Sequence, residues 1–231
     1  MDTFECIKTR RAIRKYLDVP VPWDLVGNIL EAGRYAPSSG NLQNWKFIVV
    51  LEKANREAIA EACLKQMWIA AAPVIIVICA EPKKAERYYG IRGERLYTVQ
   101  NCAAVAENML LEAHNQGLGS CWVGAFDEEM VKRALAIPEE ARPQIILTFG
   151  YPDEKVPRPA RFPLEPITHF NKWRGRIQDV PSYFGYFGPK FQRWVKAGEE
   201  LAKKHGKKAA EKVKEAAKKA RKKLEEKRKK K

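Results

Sequence analysis

The chain is expected to fold as a layered α+β domain, with helices flanking a central sheet. Three observations carry this expectation. Segments with apolar residues at helical spacing alternate with short β-branched runs. Val74 to Cys79 is continuously apolar (V-I-I-V-I-C), as a strand covered on both faces would be. Thr98 to Asn115 carries Val99, Cys102, Ala103, Val105, Ala106, Met109, Leu110 and Ala113, too broad an apolar surface for anything but a central buried helix. With 45% apolar residues among 231, a core can be buried and global disorder is excluded.

Each element follows from local chemistry. Residues 3–9 read as a short helix. Pro22-Trp23-Asp24 opens a stronger one, with Leu25, Val26, Ile29, Leu30 and Ala32-Gly33 at helical spacing; it stops before Pro37. Residues 36–41 (A-P-S-S-G-N) are loop chemistry. Lys46 to Leu51 is a β-branched strand, and residues 54–70 are read as helical. The longest apolar run, Trp68 to Ala80, holds Pro73 and reads as a helix end entering a buried strand. After the 98–115 helix, residues 117–124 (G-L-G-S-C-W-V-G) lead into a short strand. Asp127 caps a helix to about Leu135. Gln144 to Phe149 is a further strand, and beyond Gly150 the chain is Pro-rich and irregular. Residues 1–175 thus form the main domain, 176–195 an aromatic-rich extension, and 196–231 a Lys/Ala/Glu-rich tail of helical composition.

The formal net charge is +15. Residues 196–231 hold 17 Lys and Arg against six Glu, so 11 of those charges lie in the tail and only four in the preceding 195 residues. No stretch reaches the ~18 apolar residues of a membrane span, and the N-terminus lacks a signal peptide's basic start and apolar run. The five Cys are dispersed, without a C-x-x-C pair, and read as reduced thiols; the three His do not cluster, so a metal is not expected. A cytoplasmic location is the resulting expectation.

Three constellations can carry chemistry. Thr9 to Tyr16 (T-R-R-A-I-R-K-Y) places four cations within six residues, either a solvated basic face or a clamp that grips phosphate oxygens through planar guanidinium forks. Pro37 to Trp45 (P-S-S-G-N-L-Q-N-W) is either a polar connector or a set of neutral donors and acceptors fit for a heterocycle edge. The glycines of 117–124 contain G-x-G, but a helix precedes and a strand follows, the reverse of a dinucleotide fingerprint. A C-cap glycine followed by a close-packed strand is the favoured reading there.

In this order, the boxes R-R-A-I-R-K-Y, P-S-S-G-N-L-Q-N-W, G-L-G-S-C-W-V-G-A-F and R-P-A-R-F-P-L-E with H-F-N-K-W resemble those of the FMN-dependent nitroreductase family, over residues 1–174. The resemblance implies a central mixed or antiparallel sheet flanked by helices and a homodimer with FMN at the interface. It implies that Arg10 and Arg11, completed by Arg161 with Arg158 a weaker candidate, hold the FMN phosphate. Arg14, and the backbone of Ala12, would lie nearer the ribityl chain and the pyrimidine edge. Pro37, Ser38, Ser39, Asn41 and Gln43 would approach from the partner subunit, and the backbone of Val123, Gly124 and Ala125 would border the ring near N5. Two positions depart from the pattern: Ala12 where Ser is frequent, and Asn44 where Pro is common, which bears on loop stiffness.

The implied activity is a ping-pong transfer of hydride from NAD(P)H, through FMN, to a nitroaromatic, quinone or similar small acceptor, with no catalytic side chain beyond the cofactor's chemistry. Within the same family, flavin fragmentation and dehalogenation are alternatives. A different class remains open through the tail, which could bind nucleic acid by phosphate contacts; a solvated helical extension is the favoured reading. The aromatics of 179–194 look like anchors on a partner subunit. His114 and Cys121 are read as packed rather than reactive.

Overall fold

A computed structural model describes residues 1–175; the expected extension at 176–195 and the expected helical tail at 196–231 lie outside the described residues. The chain divides into two compact units, Met1–Pro159 and Ala160–Lys231. The first unit contains α1 (Thr3–Thr9), α2 (Trp23–Arg34), β1 (Trp45–Val50), α3 (Lys53–Ala62), β2 (Val74–Ala80), α4 (Pro82–Arg92), α5 (Thr98–Asn115), β3 (Gly119–Val123), α6 (Glu128–Leu135) and β4 (Arg142–Gly150). In the second, described by itself, one helical turn, α7 (Leu164–Ile167), precedes a bend closed by the Phe170 amide on the Gly175 carbonyl at 2.8 Å.

The four strands form one sheet in the order β1-β2-β4-β3, every pairing antiparallel. All seven residues of β2 are buried, which explains its unbroken apolar sequence. Alternation divides them between two layers. Val74, Ile76, Ile78 and Ala80 pack with Val26 and Ile29 of α2 and with Cys102, Val105, Met109 and Leu110 of α5. Ile75, Val77 and Cys79 face the other way, toward Ile59 and Ala60 of α3 and Val131 of α6.

The boundaries follow the expected caps. Asp127 accepts the Met130 amide at 2.9 Å at the start of α6. Gly117 follows the end of α5 with φ +81°, the left-handed conformation that a side chain opposes. Two stretches differ from the sequence reading. The helix expected over 54–70 ends at Ala62, where Leu64 and Lys65 turn left-handed (φ 56° and 58°), and only a single turn follows at Met67–Ile69. α4, and the widened turn Gly93–Tyr97 after it, had no sequence assignment, because Ala85 alone of α4 is buried and no apolar period marks it.

β3 lies at the sheet edge, and the N-terminal segment covers it. Ala12 bridges Ser120 in parallel, and the Ile13 amide donates to the Ser120 carbonyl at 2.9 Å. The close approach requires Gly119: a Cβ there would stand 2.9 Å from Ile13 Cβ and Cγ2. Tyr16, buried, donates to the Ile13 carbonyl at 2.6 Å and shares a 2.7 Å hydrogen bond with Thr148 of β4, while burial raises its phenol pKa.

Candidate functional site

α1 delivers the first box to the end of α5. Thr9 Oγ1 lies 2.8 Å from His114 Nε2, and Cys6 Sγ donates to the Leu111 carbonyl at 3.3 Å. The chain then leaves the helix at Arg10 and runs along β3. Arg11 folds back, its Nη1 donating to the carbonyls of Lys8 (2.9 Å) and Arg10 (2.7 Å), so part of its donor capacity closes α1. Its Nε is buried with no protein partner. Arg14 is exposed, with its guanidinium 5.8 Å from the centre of the Trp68 ring.

These cations share one neighbourhood. Burial raises the Cys121 thiol above its ordinary value, while the nearby Arg14 and Arg10 pull it back down. Burial, then Arg10 and Arg11, hold the His114 imidazole below its ordinary value. Glu154 fixes the backbone at this point, accepting the Arg14 amide at 2.5 Å and the Lys15 amide at 3.0 Å; those bonds keep its carboxyl ionised to lower pH than usual. Some other surface cations are paired, as Lys8 with Glu5, Lys83 with Glu86 and Arg142 with Glu128. Arg10, Arg11 and Arg14 form no ion pair among the described residues.

The second box is a compact polar turn between α2 and β1. Gly40, Asn41 and Gln43 are left-handed, at φ 54°, 56° and 47°. Gln43 closes the turn, donating from its amide nitrogen to Ser38 Oγ (3.1 Å) and from its side chain to Asn41 Oδ1 (3.1 Å). Pro37, Asn41 and Gln43 are exposed, Ser38 and Ser39 partly so. The turn is tied to the first turn of α5: the Ser39 amide donates to Asn101 Oδ1 at 3.0 Å, and Asn101 Nδ2 donates to Ser39 Oγ at 3.1 Å.

The two boxes therefore sit at opposite ends of α5. Asn101 and His114 are 13 residues apart on that helix, about 20 Å at 1.5 Å per residue. Within one chain the arginines of 10–14 and the polar turn of 37–43 do not meet. Beyond β3, Val123 is buried, whereas Gly124 and Ala125 are exposed; a Cβ on Gly124 would meet nothing closer than Trp122 Nε1 at 3.6 Å. Arg158 is exposed near the end of the first unit, and Arg161 is exposed in the second.

The sequence reading gave no role to three residues here: Glu154, Thr98 and Asn101. Asn44, read from the sequence only for its bearing on loop stiffness, is a fully buried amide. Thr98 and Asn101, at i and i+3 on an otherwise apolar helix face, were the legible signal. The five cysteines are free and buried, burial pushing Cys63 and Cys102 up to about 12 and Cys79 to about 11. Among the described residues, no His, Cys, Asp or Glu cluster is placed to hold a metal, and no helix is long and apolar enough to cross a membrane.

Comparison with known proteins places this arrangement in a wider set. The profile of the Nitroreductase family matches residues 7–72 and 64–151. A Methanothermobacter thermautotrophicus protein carried under the provisional name NADH dehydrogenase/NAD(P)H nitroreductase is 36% identical over 177 residues, 75% of this chain and 88% of its own. A Thermus thermophilus NADH dehydrogenase is 33% identical over 187 residues, 68% of this chain and 90% of its own. Among solved structures, an FMN-dependent nitroreductase from Clostridium difficile R20291 superposes with a TM-score of 0.65 at 28% identity, covering 74% of this chain and 99% of that one.

Proposed function

Because the chain belongs to the nitroreductase family, we propose that it is an NAD(P)H-dependent FMN oxidoreductase, active as a homodimer with two flavin sites at the subunit interface, each lined by both chains. The observation that carries this reading is the separation of the two boxes along α5. The arginine box leaves Arg11 Nε buried without a protein partner, the turn exposes Asn41 and Gln43, and 13 residues of helix, roughly 20 Å, keep the two apart in one chain. A second copy, related by a two-fold axis, supplies the missing half of each site.

The residues fit FMN. A phosphate needs several cations or amides when partly desolvated. Arg10 and the Nε edge of Arg11, which has no protein partner, are assigned to it, with Arg161 and then Arg158 completing the clamp. Arg14, anchored through its amide by Glu154, is assigned to the pyrimidine edge, where a cation favours the reduced, anionic flavin. From the partner subunit, Pro37, Ser38, Ser39, Asn41 and Gln43 contribute neutral hydrogen-bonding groups. The backbone of Val123, Gly124 and Ala125 is assigned to the ring edge near N5, with Ala12 contributing backbone only.

Held by these residues, FMN would supply the redox chemistry between NAD(P)H and a nitroaromatic, quinone or similar acceptor. The protein's part is to hold the cofactor, leave one face open to the two substrates in turn, and let solvent deliver protons. Ping-pong kinetics follow from that single open face. Substitution tests the assignment: Arg10→Ala with Arg161→Ala is expected to abolish FMN retention in a protein that still folds. Flavin retained by that double variant would refute the clamp.

A further inference from the structure

We propose that Asn44 and Asn101 are positioning residues, forming a buried amide clasp that sets the 38–43 turn in its ligand-binding shape before flavin arrives. The proposal rests on the flavin assignment of that turn.

Both amides are nearly or fully buried: Asn44 has no exposed surface and Asn101 has 5%. Buried amides persist only where their hydrogen-bonding groups are filled. Here all four side-chain N–H groups donate. Asn44 Nδ2 donates to Thr98 Oγ1 (3.0 Å) and to the Glu81 carbonyl (3.3 Å). Asn101 Nδ2 donates to Asn44 Oδ1 (2.8 Å) and to Ser39 Oγ (3.1 Å), while its Oδ1 accepts the Ser39 amide (3.0 Å). The Thr98 hydroxyl donates in turn to the Gly93 carbonyl at 2.9 Å, tying the chain of bonds to the turn between α4 and α5.

What the clasp holds explains why it is needed. No residue from 38 to 43 is buried, so apolar packing does not fix the turn. Three of its residues are left-handed, and for Asn41 and Gln43 that conformation costs free energy. The polar bonds to Ser39 therefore restrain a turn that would otherwise relax. Where the family's Pro stiffens the backbone at position 44, this chain uses an amide that reaches inward.

A role as core filling alone predicts something different. Replacing a satisfied polar pair by apolar residues of similar size leaves stability nearly unchanged. The test uses the full-length protein carrying Asn44→Leu and Asn101→Leu, in its flavin-free form. Amide exchange across residues 38–43 and in β2 and β4, the melting temperature, and the FMN dissociation constant from fluorescence quenching are measured.

The clasp predicts exchange at Ser39 to rise at least tenfold with β2 and β4 unchanged. FMN binding is expected to weaken about tenfold, the size of one hydrogen bond's contribution, with melting close to wild type. Unchanged exchange at Ser39, or a loss of affinity that only tracks a global fall in melting temperature, overturns it. If the double variant does not fold, Thr98→Val, which removes the hydroxyl that accepts from Asn44 and donates to the Gly93 carbonyl, is expected to weaken binding about threefold with the same loop-specific exchange; no loop-specific change in it overturns the proposal. Failure of the wild type to take up FMN would contradict the flavin assignment, and Ser39 exchange still decides whether the clasp exists.

Discussion

Gly119→Ala bears on how packing sets the site. The added Cβ would lie 2.9 Å from Ile13 Cβ and Cγ2 and 3.0 Å from Cγ1, whereas carbon atoms rest at about 3.5–4.0 Å. Ile13 Cβ is fixed to the backbone, so relief requires the segment carrying Arg10 to Arg14 to move away from β3 by about 0.5–1 Å. The Ile13 amide bond to Ser120, 2.9 Å in the native protein, stretches with it. Overpacking of this kind costs about 1–3 kcal/mol, which lowers the melting temperature by roughly 2–12 °C at about 2–4 °C per kcal/mol for a domain of this size. Because the displaced segment carries three proposed flavin-binding arginines, FMN affinity should fall at least about tenfold. Gly27→Ala is the control. It lies within α2 with nothing inside 4 Å of the new Cβ, and alanine should stabilise by about 0.5–1 kcal/mol. Thermal melts and flavin titrations of both variants decide the matter. A Gly119→Ala protein that melts and binds FMN as the wild type does would refute the steric coupling.

Three further outcomes follow from titratable groups. Burial and the neighbouring Arg10 and Arg11 keep His114 below its ordinary pKa of 6.5, so the unfolded chain takes up the proton first and stability declines as pH falls below about 6.5; His114→Gln should flatten the denaturation profile between pH 7 and 5, and an unchanged profile would contradict the cause given. Glu154 acts lower, its contribution present above about pH 4.5 and lost below it. The buried thiols, with Cys63 and Cys102 near 12 and Cys79 near 11, should resist a disulfide reagent at pH 8 in the native protein and react, all five, once it is denatured; fast native labelling of Cys121 would reopen a redox role for it.

Much of this was legible in the residues themselves. β2 declared itself because a strand buried on both faces has no polar positions, and α5 because its apolar surface is broad. Asp127 and Gly117 marked helix ends through chemistry that acts within a few residues. α4 escaped notice since it buries one residue, and the end of α3 at Ala62 was missed since left-handed Leu64 and Lys65 carry no turn signature. The arginine box and the P-S-S-G-N turn could be singled out from composition alone. Their placement at opposite ends of α5 could not, because it depends on which helix each packs against. The pairing of Asn44 with Asn101 was missed for a related reason: an amide becomes informative only when its burial and partners are known.

The proposed function requires flavin bound between two subunits and reduced by nicotinamide. The direct measurement is anaerobic mixing of the purified, FMN-loaded protein with NADH and with NADPH, followed by a nitroaromatic or a quinone, with sedimentation run alongside. The account predicts a yellow dimer whose flavin absorbance bleaches with at least one nicotinamide and returns on adding the acceptor. A colourless protein that takes up no FMN, or bound flavin that neither nicotinamide reduces, would contradict it.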